Sequence, residues 1–209
     1  MKIVICASGP TSEMYLPKAD YYIGVDRGAL TLLSHGIVAD EMVGDFDSVT
    51  EEQFMMLSQQ VNTVNRVSSI KNETDTDLAL AKAVSMQPQT IYVTCVTGGR
   101  LDHQEAAMRS VRRFQVQHPN IAIYIVNKYN TIRFLTAGTH ALEKDRYQYV
   151  SFFAADEPIE AVTLKGVKYE TTRIPMPYDC TLFTSNEIIT DNASISFSNG
   201  ICLMIKSND

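Results

Sequence analysis

Short apolar runs recur along the first part of the chain at 2–7, 21–25, 41–43, 61–67, 90–97 and 121–127, and each is short enough to be a strand of a covered sheet. Between them, 28–35, 51–60, 75–86 and 101–117 carry the mixed apolar and polar spacing of helices. Two of these have recognisable starts. Thr74 stands three positions before Asp77, and Thr50 three before Gln53, the layout of a capping box. Strands alternating with helices predict a mainly parallel sheet with helices on both faces. After about residue 130 the texture changes. The runs 131–135, 147–154, 159–164, 180–183, 193–197 and 200–205 are short and β-rich, separated by Gly138, Pro158, Gly166, Pro175, Pro177 and Asn199-Gly200. Strands at that spacing without helices predict an antiparallel sandwich. The expected organisation is an α/β domain over 1–129 and an all-β sandwich over 130–209, with no repeat and no low-complexity linker.

Composition narrows the partners. The 209 residues are 45% hydrophobic, enough for a full core, and the formal net charge of −6 includes no basic run. A nucleic-acid or anionic-membrane partner is therefore not expected, because neutralising a phosphate backbone needs clustered Lys and Arg. No apolar run approaches the roughly 20 residues of a membrane span, and the apolar N-terminal stretch is too short for a signal peptide. A soluble, cytoplasmic protein is expected. Cys6, Cys95, Cys180 and Cys202 form no Cys-x-x-Cys pair, and three of them lie in apolar or strand-like segments, which suits small buried thiols.

Candidate chemistry lies in three acidic motifs, each following an apolar run: Gly44-Asp45-Phe46-Asp47-Ser48, Thr74-Asp75-Thr76-Asp77 and Gly98-Gly99-Arg100-Leu101-Asp102-His103. Loops leaving successive strand ends converge on one crevice in α/β proteins, so these carboxylates are expected to meet around a ligand. Magnesium takes hard oxygen ligands, commonly one or two carboxylates with water and substrate phosphate completing the shell. Asp77 fits a cap partner better than a ligand; Asp75, at the helix entrance, is the better candidate. Gly98-Gly99 before a helix brings backbone N–H groups toward a phosphate, with Arg100 adding charge. His103 suits a structural hydrogen bond as well as proton transfer. No Gly-x-x-x-x-Gly-Lys-Ser/Thr motif is present, so a Walker-type site is not expected.

Val25-Asp26-Arg27-Gly28-Ala29, the motif at 44–48, Lys71…Thr74-Asp75, the motif at 98–103, Leu164-Lys165-Gly166-Val167-Lys168-Tyr169 and Thr184-Ser185-Asn186-Glu187 together resemble the thiamin pyrophosphokinase family, over nearly the whole chain and in the family's order. Arg27, Leu30 and Ala107 stand where the family more often has Gly, Asn and Asn. The resemblance implies a homodimer that transfers diphosphate from ATP to the hydroxyl of thiamin, releasing AMP, with Mg2+. It implies Asp45, Asp47 and Asp75 as magnesium ligands, directly or through water, and Asp102 as a further acidic residue of the catalytic set near the transferring phosphates. Asp26, Gly28, Lys71, Thr74, Gly98, Gly99, Arg100 and His103 are then expected at the ATP, with Asp26 touching the substrate hydroxyl or a metal-bound water. Tyr169 is expected to stack on thiamin, and Ser185 and Asn186 to bind its pyrimidine. Two other readings are weighed. Asp45-Phe46-Asp47-Ser48-Val49 also matches the nucleophile motif of haloacid-dehalogenase phosphatases, and the same fold could serve a non-catalytic thiamin or nucleotide sensor.

Overall fold

The computed structural model describes residues 1–66 and 73–209, so Val67 and Lys71 lie outside the described residues. Two compact units follow each other, Met1–Lys128 and Tyr129–Asp209.

Among the described residues of the first unit six strands alternate with four helices. They are β1 (Lys2–Cys6), β2 (Tyr21–Val25), α1 (Gly28–Ser34), β3 (Glu41–Gly44), α2 (Glu51–Ser58), β4 (Thr63–Arg66), α3 (Asp75–Ser85), β5 (Thr90–Thr94), α4 (Leu101–Gln117) and β6 (Ala122–Val126). Every pairing between these strands is parallel, in the order β6-β5-β1-β2-β3-β4. The chain first winds outward from β1 to β4, then returns to the other side of β1 with β5. That reversal between β1 and β5 opens a crevice at the carboxyl ends of the strands. Ile3, Val4 and Ile5 are fully buried, as expected of a central strand covered on both faces. Both capping boxes form: Thr50 with Gln53 starts α2, and Thr74 with Asp77 starts α3. At the other end of α1, Gly36 takes a φ of 75°, a glycine stop just beyond the helix.

The second unit is antiparallel throughout: β7 (Asn130–Ala141), β8 (Tyr149–Ala154), β9 (Ile159–Lys165), β10 (Thr171–Met176) and β11 (Ser194–Ser207). The long strands β7 and β11 pair along their length, with a register shift between Phe197 and Ile201. On its far edge β11 pairs first with β9, through Ser194–Ser196, and then with β8, through Cys202–Ser207. Two half-sheets thus join at the shift. Phe152, Leu164, Met176, Ile195 and Cys202 pack into one cluster between them, giving the expected sandwich.

Three local expectations are corrected. The runs 193–197 and 200–205 are one strand, because Asn199-Gly200 makes a bulge in β11 where a hairpin turn was expected. The Asn199 side chain secures it, accepting from the Glu160 N–H and donating to the Pro158 carbonyl. Residues 180–183 form turns, closed by Cys180 N–H to Pro177 O and Thr184 N–H to Thr181 O, while Phe183 is buried in the core and Cys180 packs against it. Pro175, read as a turn former, lies inside β10. A proline is tolerated there because β10 is the outermost strand and its free edge needs no donor.

Candidate active site

The crevice at the β1/β5 reversal has a volume of about 1180 Å³ and is built entirely from the first unit. Its floor is the loop after β1, Ala7 to Thr11, together with Cys95 and Val96 after β5. Gly9 donates its N–H to the Cys95 carbonyl at 2.9 Å, and a methyl group on Gly9 would lie 2.2 Å from that oxygen. A glycine is needed for so close an approach.

Asp26, Asp45 and Asp75 come together here from the ends of β2 and β3 and the start of α3, each offering a carboxylate oxygen within 4.8 Å of the others. All are half-buried. Backbone strain accompanies the cluster. Asp26 (φ 47°), Phe46 (φ 61°) and Cys95 (φ 58°) are non-glycine residues in the left-handed region, each at or just beyond a strand end. Phe46 turns its N–H onto Asp26 Oδ1 at 3.2 Å, which fixes that carboxylate. Gly44 leaves it room, since a Cβ there would lie 1.8 Å from the same oxygen.

Electrostatics mark Asp26 as the strained member. Burial, then the nearby Asp75, and to a lesser degree Asp45 and Asp47, push its carboxyl up to about 6, while the Phe46 N–H pulls it down. Carboxylates pressed together in this way, with hard oxygen donors and partial burial, suit a divalent cation.

Other predicted residues fall in different places. Asp47 is exposed and outside the trio; its N–H closes a turn onto Asp45 Oδ1 at 3.2 Å, and its charge reaches Asp26. Asp102 does not line the crevice. It is gripped by Arg100 through Nε at 3.1 Å and Nη2 at 2.6 Å, and this pair holds its carboxyl down at about 2. Thr74, Gly99, Arg100 and His103 do line the crevice, and Gly98 and Gly28 do not. Gly28 is buried: a methyl group on it would lie 1.9 Å from the Cys6 carbonyl oxygen, so its part is to let α1 start against β1. Asp77 caps α3 and pairs with Arg113 at 2.6 Å. Sequence reasoning missed Ser8, Gly9, Pro10, Glu73 and the α1 residues Leu30, Thr31 and Ser34, all of which line the crevice. Ala7-Ser8-Gly9-Pro10, a turn sequence directly after the first strand, was the available signal for the floor.

In the second unit Tyr169 is 60% exposed, which excludes a core tyrosine. Lys168 Nζ lies 5.6 Å from its ring centroid and bonds Glu187 Oε1 at 2.6 Å. Asn186 is buried, and its side chain serves the protein: Oδ1 accepts from the N–H groups of Tyr169 and Glu187, and Nδ2 donates to the Tyr169 carbonyl. Ser185 is exposed beside it, at a φ of 56°.

Fold and site together define an α/β protein of the phosphoryl-transfer kind, with an acidic crevice at the carboxyl ends of a doubly wound sheet and a β-sandwich appended. Comparison with known proteins agrees and is more specific. The model "Thiamin pyrophosphokinase, catalytic domain" matches residues 12–125, and "Thiamin pyrophosphokinase, vitamin B1 binding domain" matches 139–202. The thiamine pyrophosphokinase of Bacillus subtilis (strain 168) is 35% identical over 213 residues, covering 99% of each chain. A crystal structure of thiamine pyrophosphokinase from Bacillus subtilis superposes with a TM-score of 0.91 at 35% identity, with 100% of each chain covered. A thiamin pyrophosphokinase family protein from Enterococcus faecalis gives 0.89 at 31% identity, also over 100% of each chain. The chain belongs to the thiamin pyrophosphokinase family, and it is an enzyme that diphosphorylates thiamin at the expense of ATP. The phosphatase and sensor readings are set aside.

Proposed function

We propose that the crevice of the first unit binds ATP as its magnesium complex, with Asp26, Asp45 and Asp75 at the metal, and that Tyr169 and Ser185 belong to the thiamin surface of the second unit. The observation that carries this reading is the convergence of three carboxylates within 4.8 Å at the reversal of a parallel sheet. Mg2+ bound there supplies the positive charge that offsets the phosphates.

The chain's own residues do the positioning. Phe46 N–H and the space above Gly44 hold Asp26 in one orientation. The capping box of α3 fixes the helix start that carries Asp75, and Thr74 borders the crevice beside it. Asp47, exposed and turned away from the trio, is left a part through water. Gly99, Arg100 and His103 border the space for the phosphates, with Arg100 held on Asp102, while Gly98 lies back from the crevice. Lys71, outside the described residues, remains in the ATP set by resemblance. Asn186 acts as a positioning residue, since its amide holds the Tyr169 backbone in place.

In the reaction the thiamin hydroxyl oxygen forms a bond to the β-phosphorus and gives up its proton to water as the bond from that phosphorus to the α,β-bridging oxygen breaks, and AMP leaves with the bridging oxygen. Most of the acceleration then comes from alignment and from offsetting charge. The homodimer implied by resemblance and a cytoplasmic location belong to the same reading; no helix among the described residues is long and apolar enough to cross a membrane.

The test is thiamin-dependent AMP release from Mg-ATP by the wild type and by Asp45→Asn. The variant keeps the shape and loses a charge, so turnover is expected to fall by roughly 10²-fold or more with the fold retained. Turnover above about a third of wild type at saturating Mg2+ refutes the assignment.

A further inference from the structure

The crevice must take up a polyphosphate, yet its charged lining is mostly acidic: Asp26, Asp45, Glu73 and Asp75 stand against Arg27 and Arg100 among the described residues. A triphosphate stays anionic after one Mg2+ has bound, so a guanidinium at the phosphates is favoured beside the Lys71 expected there.

Arg100 is poorly placed to be that cation. Its guanidinium already grips both oxygens of Asp102, and the pair is largely exposed, at 70% and 65%. Using Arg100 means first breaking a two-pronged ion pair or carrying a carboxylate toward the phosphates. Arg27 carries neither burden. It lines the crevice next to Asp26, and its guanidinium has no ion pair or side-chain hydrogen bond among the described residues.

The backbone around Arg27 is firmly held. Asp26 before it is locked in the left-handed region with its carboxylate on Phe46 N–H. Gly28 after it is packed against the end of β1. From there α1 turns one face to the crevice: Arg27, Leu30, Thr31 and Ser34 all line it, at the three-to-four spacing of a single helical stripe. Arg27 is the charged residue of that stripe, at its end nearest the carboxylates. A guanidinium there offers a planar fork of donors on a short, fixed stretch of chain.

We propose that Arg27 is the guanidinium that binds the phosphate oxygens of ATP in this crevice and sets the affinity for nucleotide, with Arg100 in a lesser part. This rests on the reading of the crevice as the ATP site. The experiment measures KM for ATP and for thiamin, together with equilibrium binding of the magnesium complex of α,β-methylene ATP, in Arg27→Gln, Arg27→Lys, Arg100→Gln and Asp75→Asn. In Arg27→Gln the ATP KM and the analogue Kd are expected to rise about tenfold or more, while the thiamin KM stays within about twofold and the melting temperature is unchanged. Arg27→Lys, which keeps charge and loses the fork, is expected to fall between wild type and Arg27→Gln. Arg100→Gln is expected to shift the ATP KM less than Arg27→Gln does. An ATP KM within about twofold of wild type in Arg27→Gln, with Asp75→Asn inactive, overturns the role of Arg27 and leaves the crevice as the ATP site. Full activity in Asp75→Asn overturns the crevice reading and the role of Arg27 with it.

Discussion

Tyr169 is a large aromatic side chain left 60% exposed and carried on a backbone whose N–H and carbonyl are both held by the Asn186 amide. An aromatic face presented so rigidly suits a flat cationic ligand. One face of the ring already lies near Lys168 Nζ, and Glu187 holds that ammonium in place. Tyr169→Ala is therefore expected to raise the thiamin KM by an amount equivalent to roughly 1–2 kcal/mol, with the ATP KM near its original value and little change in melting temperature. Unchanged thiamin KM in steady-state assays refutes the stacking role. Asn186→Ala tests the positioning role: the same rise in thiamin KM, now with lost thermal stability because buried backbone groups lose their partners.

The ends of β2 and β3 form one mechanical piece. β2 ends into Asp26 and β3 ends at Gly44, and the Asp26 carboxylate occupies the space that a side chain at residue 44 would fill. Gly44 has a φ of 151°, so an added side chain meets both a crowded neighbour and an unfavourable backbone. Gly44→Ala is expected to destabilise the fold by about 1–3 kcal/mol and to displace Asp26, lowering turnover at least tenfold. Combining it with Asp26→Ala isolates the cause. If the clash dominates, the double variant loses less stability than the two single losses added, as read from denaturant melts in a double-mutant cycle. Simple additivity places the defect in the backbone instead.

The whole protein should also show the strain of its acidic crevice in its pH dependence. The folded-state pKa of Asp26 is raised from an ordinary 3.8 to about 6. The folded state thus holds this proton more tightly than the unfolded state does. The corresponding stability is fully present below about 3.8 and is lost as pH rises through about 6. Without Mg2+, this group therefore favours a higher melting temperature at pH 5 than at pH 7. Mg2+ competes with the proton for the same carboxylates, so its stabilising shift is expected to be larger at pH 7.5 than at pH 5. Calorimetry with and without Mg2+ across that range checks both directions. Asp26→Asn should flatten the metal-free trend, and a metal-induced shift independent of pH refutes the link.

Periodicity and capping chemistry in the chain sufficed for the alternating first unit, the β-rich second unit, the starts of α2 and α3, and the cap role of Asp77, because each depends on residues a few positions apart. That Asp45 and Asp75 would come together was legible for a similar reason, since loops after strands in a parallel sheet share one edge. What folding settled was which side chains meet. Asp26 joins the trio because β2 lies beside β3, and Asp47, two residues from Asp45, is turned outward by the left-handed Phe46. Arg100 spends its charge on Asp102, whereas Arg27 keeps its own. Asn199-Gly200 has the composition of a hairpin turn and forms a bulge, because β7 on one edge and β8 and β9 on the other hold β11 as one strand. Those outcomes depend on contacts between residues far apart in the chain, where burial, sterics and charge outweigh local preference.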